Sequence, residues 1–90
     1  MKPIRITDYC AGRIVARKLA RQQVEAVIRS PEQIVPDDDD PNRQIHQSRI
    51  IDVHGREKLL RIVVEENKNE IVAVTVYSAT QFKRYWKGTL

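Results

Sequence analysis

Two apolar runs in the second half of the chain restrict its fold more than any other feature. Over residues 58–66 the even positions Leu60, Ile62 and Val64 are apolar, while Arg61 and Glu65 take odd ones. Over residues 70–78 Val72, Val74 and Val76 are even, and Thr75 and Tyr77 are odd. Side chains alternate across a strand with period two, so each run reads as a strand with one apolar face. Only Asn67-Lys68-Asn69 separates the runs, too short a connection for anything but an antiparallel hairpin. A third strand over residues 43–53, joined through His-Gly-Arg-Glu, makes a meander. Cross-strand partners share a face, which for a three-residue loop puts Glu66 opposite Glu70, Arg61 opposite Thr75 and Leu59 opposite Tyr77. Ile50-Ile51 breaks the alternation and predicts a bulge. With Ile50 turned to the core, Arg49 joins Arg61, Thr75 and Tyr77 on the polar face.

A strongly apolar sheet face needs a cover, and the N-terminal third supplies it. From Thr7 or Asp8, either of which can cap a helix, Cys10, Ala11, Ile14, Val15 and Leu19 trace a helical face. Val24, Val27 and Ile28 continue it to Ser30-Pro31. No glycine or proline lies between Arg13 and Ser30, so one bent helix and two short ones meeting near Leu19-Ala20 fit equally. The Pro-Asp-Asp-Asp-Asp-Pro run over residues 36–41 reads as a solvated loop, since its aspartates lack the interleaved spacing of a calcium site. The expectation is a single α+β domain over residues 1–90, with one or two N-terminal helices on a three- to four-stranded antiparallel meander. A chain of this length buries only about 60–65% of its unfolded surface, which leaves room for one modest core.

The lone cysteine, Cys10, forms no internal disulfide and reads as a small buried hydrophobe. With no signal peptide and no long apolar run, the expected setting is the cytoplasm, without a membrane partner. No glycine-rich phosphate loop, metal-ligand spacing or nucleophile motif occurs, so neither cofactor nor metal is expected and a small-molecule enzyme has little support. The net charge of +4 includes the four aspartates of residues 37–40; the rest of the domain carries +8. Ten of the sixteen basic residues are arginine, whose planar fork suits phosphate. The balance favours an acidic partner, either nucleic acid or an acidic protein.

The stretches Tyr-Cys-Ala-Gly-Arg-Ile-Val-Ala-Arg (9–17), Val-Glu-Ala-Val-Ile-Arg-Ser-Pro (24–31), Leu-Leu-Arg-Ile-Val-Val-Glu-Glu (59–66) and Ile-Val-Ala-Val-Thr-Val-Tyr (71–77), with a Lys/Arg-Tyr ending, resemble a family of small, largely bacterial proteins of unknown function. That family is grouped with RelE/ParE-like toxins. The resemblance spans Ile4 to Trp86 and touches Arg13, Arg17, Pro31, Arg61, Thr75 and Tyr77. Tyr9 stands where the family usually has histidine. The resemblance implies a curled antiparallel sheet, helices on one side, and an open concave face that engages RNA, the ribosome or a partner protein. A toxin-type RNA-binding protein, and a metal-independent endoribonuclease, are the activities it implies.

Cleavage of RNA without a metal needs a base, an acid, and cations for the charge on phosphorus. Arg61 and Arg49 on one face form a candidate phosphate clamp; each also reads as the partner of a surface acid. His46 is a candidate proton-transfer group because imidazole titrates near neutrality, although a strand histidine also reads as plain surface. His54, before Gly55, reads as a turn residue. Tyr77 would act as a base only beside a cation such as Arg61, and otherwise as a stacking platform. Tyr9, Arg13 and Arg17 form one helical stripe suited to RNA, or to stabilising the helix surface. Near the C-terminus, Phe82 and Trp86 at helical spacing can latch onto the body while Lys83, Arg84 and Lys87 face outward and Tyr85 stacks on a base. The second functional reading is a non-catalytic module that recognises an acidic, antitoxin-like protein or nucleic acid through the same face.

Overall fold

The computed structural model describes residues 1–88. Its elements run β1 (Ile4–Ile6), α1 (Asp8–Ala16), α2 (Arg21–Arg29), β2 (Gln33–Pro36), β3 (Gln44–Ile51), β4 (Glu57–Glu66), β5 (Ile71–Ala79) and α3 (Phe82–Tyr85). The class is α+β. One sheet holds all five strands in the order β1-β5-β4-β3-β2. The expected meander is β3-β4-β5, and two short strands widen it into a mixed sheet. Gln33–Pro36 pairs antiparallel with β3, with Val35 opposite Ile45. Ile4–Ile6 pairs parallel with β5, with Ile4 opposite Ile71, so the sheet is not purely antiparallel. Parallel neighbours need a long crossover, which the two helices and three intervening strands provide.

Two helices precede Pro31. The first is capped by Thr7, whose Oγ1 accepts the Cys10 N–H at 3.1 Å and donates to the Val74 carbonyl at 3.0 Å. It ends where the Lys18 N–H bonds the Val15 carbonyl at 3.1 Å and the Leu19 N–H bonds the Ile14 carbonyl at 2.9 Å. These two bonds make a Schellman turn, which requires a left-handed residue, here Lys18 at φ 56°. Glycine is the usual signal for such a stop, and lysine concealed it. Lys18→Gly removes the Cβ strain at this position and is expected to stabilise the fold by about 0.5–1 kcal/mol, after the entropy glycine loses. A thermal melt that falls by several degrees instead would show that the lysine side chain outweighs its backbone strain.

Both helices pack on one sheet face. Cys10, Ile14, Val24, Val27 and Ile28 meet Leu60, Ile62, Val64, Ala73 and Val76 there, with Ile4, Ile6 and Ile50 partly buried against them. The Cys10 thiol is fully buried, and burial raises its pKa, so it stays protonated.

The register differs from the expected one at the β4–β5 hairpin. Glu66 pairs with Ile71 rather than Glu70, and the pairing shifts between Val63 and Val64. Past that shift Arg61 lies opposite Tyr77 rather than Thr75, and Leu59 opposite Ala79 rather than Tyr77. The bulge thus falls in this hairpin, while β3 pairs without interruption through Ile51 opposite Glu57. An extra residue reverses side-chain parity. Val72 therefore shares a face with its partner Glu65, and Val74 joins a second apolar cluster with Val35, Ile45 and Val63 on the side away from α1 and α2. Of the three valines expected beneath the helices, Val76 alone is there.

Candidate functional site

The second sheet face is not open. Residues Tyr85 to Lys87 cross it, tied to β2 and β3 through amides: Gln47 Nε2 donates to the Tyr85 carbonyl at 3.1 Å, Gln33 Nε2 to the Lys87 carbonyl at 2.6 Å, and the Lys87 N–H to Gln33 Oε1 at 3.1 Å. Beneath this cover lie Leu59, Val63, Gln47 and Arg61, all buried.

Arg61 is the centre of the arrangement. Its Nε donates to Gln47 Oε1 at 2.9 Å and its Nη1 donates to the Tyr77 hydroxyl. Its guanidinium carbon sits 4.1 Å from the centre of the Tyr85 ring and 5.4 Å from that of Tyr77, and the two rings meet edge to face at 6.4 Å. Gln47 is held by its own amide, which donates to Gln33 Oε1 at 2.8 Å. Arg61 is 6% exposed, and among the described residues it forms no ion pair. Neutral acceptors and aromatic faces solvate this charge in place of a carboxylate.

Burial raises the pKa of Tyr77, opposed by the Arg61 cation, so the phenol stays protonated at neutral pH. Desolvation of a phenolate outweighs the neighbouring charge, and Tyr77 is a hydrogen-bond donor rather than a base. Its oxygen already accepts from Arg61, so its own proton is free to point elsewhere.

A cleft of about 350 Å³ opens beside this group. Arg61, Tyr77 and Tyr85 line it together with Arg84 and Lys87, as do Asp37, Asp38 and Asp39 from the β2–β3 loop. A larger groove, about 640 Å³, lies between the α1–α2 turn and the β3–β4 hairpin. Its lining includes Arg17 and Lys18 as well as Lys58 and Arg56, which face Asp52 at 3.4 and 3.7 Å; the smaller cleft differs in holding a buried guanidinium, Arg61.

The remaining sequence-based candidates disperse. Arg49 shares the face of Arg61, but its guanidinium grips Glu32 at 2.7 Å and lies 5.3 Å from the Trp86 ring centre. The expected Arg61–Arg49 clamp is therefore replaced by a surface ion pair. His46 points to the opposite face, 6% exposed, with its Nδ1–H donating to the Ile28 carbonyl at 2.9 Å. It is separated by the sheet from Arg61 and Tyr77. Tyr9 and Arg13 lie on α1 and Arg17 caps its C-terminal end, also across the sheet, with Arg17 at the larger groove. Lys83 is exposed on α3, while Arg84 and Tyr85 reach the cleft. His54 sits in the β3–β4 turn, its N–H bonded to Asp52 Oδ1 at 2.9 Å.

Gln47, Gln33 and Asp37 are the site residues that sequence reading missed. Gln47 carried a signal: an uncharged amide on the same strand parity as Arg49. Among the described residues no group of three metal-ligating side chains occurs, and no helix is long and apolar enough to cross a membrane.

The buried His46 makes a separate prediction. Burial lowers its pKa, against opposition from the Ile28 carbonyl and the Glu66 charge. In the unfolded chain histidine titrates near about 6.5, so below that value the unfolded state binds more protons. Its stabilising effect is full above that pH and is lost as pH falls towards the lower folded value. Denaturant midpoints at pH 7.5 and 5.5 are expected to drop on acidification, and His46→Gln is expected to flatten that drop.

Comparison with family models, with curated proteins and with solved structures gives no match for this chain.

Proposed function

We propose that the protein binds single-stranded RNA at the Arg61 cleft, as an RNA-binding protein of the toxin type that its resemblance to RelE/ParE-like proteins implies. One observation carries the reading: a guanidinium that is 6% exposed yet lacks a carboxylate partner among the described residues. An unpaired buried cation costs several kcal/mol, and an arriving phosphodiester offsets that cost. Tyr77 supplies a neutral donor to a second phosphate oxygen. Arg84 and Lys87 at the cleft carry the strand onward by its backbone charge.

An acidic protein partner is the poorer fit. Its carboxylates would meet Asp37, Asp38 and Asp39, which also line the cleft, without the base donors with which RNA can offset them. The reading is of binding rather than turnover. Arg61 could hold developing charge and Tyr77 could give a proton, but His46, the other proton-transfer candidate, faces the helices.

Anisotropy of a short labelled single-stranded RNA, titrated over a range of salt, tests the proposal. Binding that weakens linearly in log salt is expected, with the slope reduced by roughly 0.7 in Arg84→Ala and again in Lys87→Ala. The RNA is expected to stay intact on a gel. Failure to bind at low salt, or displacement by an acidic peptide in place of RNA, overturns the reading.

A further inference from the structure

The residues that line the Arg61 cleft carry both signs of charge, and that mixture bears on what enters it. Arg61, Arg84 and Lys87 line it, and so do Asp37, Asp38 and Asp39. A ligand that is anionic throughout gains from the first set and loses on the second. The ligand that fits carries a phosphate at one end and hydrogen-bond donors at the other, which describes a nucleotide approached from the edge of its base.

Resting on the RNA-binding reading above, we propose that Asp37 reads the Watson–Crick edge of a guanine seated in this cleft, so that the protein selects guanine-bearing single strands. Guanine presents two adjacent donors, N1–H and the N2 amino group, which match the two oxygens of one carboxylate. Adenine and cytosine offer a single amino donor beside an acceptor, and uracil one N–H between two carbonyls. A carboxylate accepts from the first pattern and is repelled by the others.

Three features favour Asp37 over its neighbours. It is half-buried while Asp38 and Asp39 are exposed. Its Oδ1 is oriented by the Asp39 N–H at 2.9 Å, leaving Oδ2 and the second lone pair of Oδ1. Its charge, alone among the three, reaches the Tyr77 phenol, which it helps to keep protonated; like Asp38 and Asp39, it pairs with no cation among the described residues. The acidic loop alone would not indicate a site; the carboxylate-free guanidinium in the same cleft supplies the anion-binding half. A volume of about 350 Å³ lies at the small end of ligand sites and suits one nucleotide rather than a paired helix.

The test is calorimetric titration of the full chain with the pentanucleotides UUGUU, UUAUU, UUCUU and UUUUU, and with UUIUU, in which inosine lacks the N2 amino group. UUGUU is expected to bind roughly tenfold tighter than the other three standard strands, with the inosine strand between. Asp37→Asn keeps an oxygen for the Asp39 N–H and so keeps the loop, but replaces one acceptor by a donor. It is expected to erase the preference while all five strands still bind. Equal binding of all strands by the wild type, or a uniform gain for every strand in Asp37→Asn, overturns guanine reading and leaves RNA binding standing. Absence of binding by every strand overturns both.

Discussion

Arg61→Met is expected to weaken RNA binding by about tenfold to a hundredfold while leaving the fold no less stable than the wild type. The binding loss follows from removing the charged donor that would meet phosphate, since hydrogen bonds to charged groups are worth about 1.5–3 kcal/mol. The stability half follows from what remains. Breaking a buried ion pair is costly because it strands the opposite charge, but Arg61 has no opposite charge to strand. Its departure leaves the Gln47 carbonyl oxygen and the Tyr77 hydroxyl, both neutral. Methionine has comparable length and a polarisable sulfur suited to the space between two rings. Arg61→Lys is expected to bind as poorly as Arg61→Met, because an ammonium can neither stack on Tyr85 nor make the Gln47 and Tyr77 bonds in one plane. Chemical denaturation and RNA titration of the three proteins check both halves. A large fall in stability with Arg61→Met would make the guanidinium a structural strut, and the case for an anion site would lose its foundation.

Leu60→Ala is expected to produce the largest loss of stability of any single truncation in the sheet. Leu60 is fully buried in the central strand β4, between Ser48 of β3 and Ser78 of β5, under the two long helices. Small neighbours on both sides cannot move in to fill the space, so the cavity term adds to the lost transfer energy. Truncations of this kind cost about 2–5 kcal/mol. Against a total of about 5–15 kcal/mol for an ordinary domain, that lowers the melting temperature by roughly 10 °C or more. Val74→Ala, in the smaller cluster with Val35, Ile45 and Val63, is expected to cost less than half as much. Equal losses at the two positions would mean that the second face contributes a core of its own.

Much of the architecture was legible because it depends on neighbours in the chain. Thr7 as a cap, the helix stop at Ser30-Pro31 and the turn at His54-Gly55 all follow from residues within a few positions of one another. The strands β3, β4 and β5 were legible for the same reason. β1 and β2 were not, since three or four residues are too few for alternation to register, and each is a strand only because a partner offers its edge. Lys18 hid the break between the helices by occupying a position that glycine usually takes.

The same division governs the site. Parity along two strands was enough to put Arg61 and Tyr77 on a common face, because a period of two is a property of extended backbone. Their direct pairing needed the slip between Val63 and Val64, which depends on how the hairpin packs. Folding also buried His46 under the helices, gave Arg49 to Glu32, brought Gln47 and Tyr85 onto Arg61, and set Asp37 in the same cleft. Each of these outcomes joins residues far apart in the chain, so it depends on strand order and on which surfaces meet, neither of which is encoded in the spacing of side chains along a single segment.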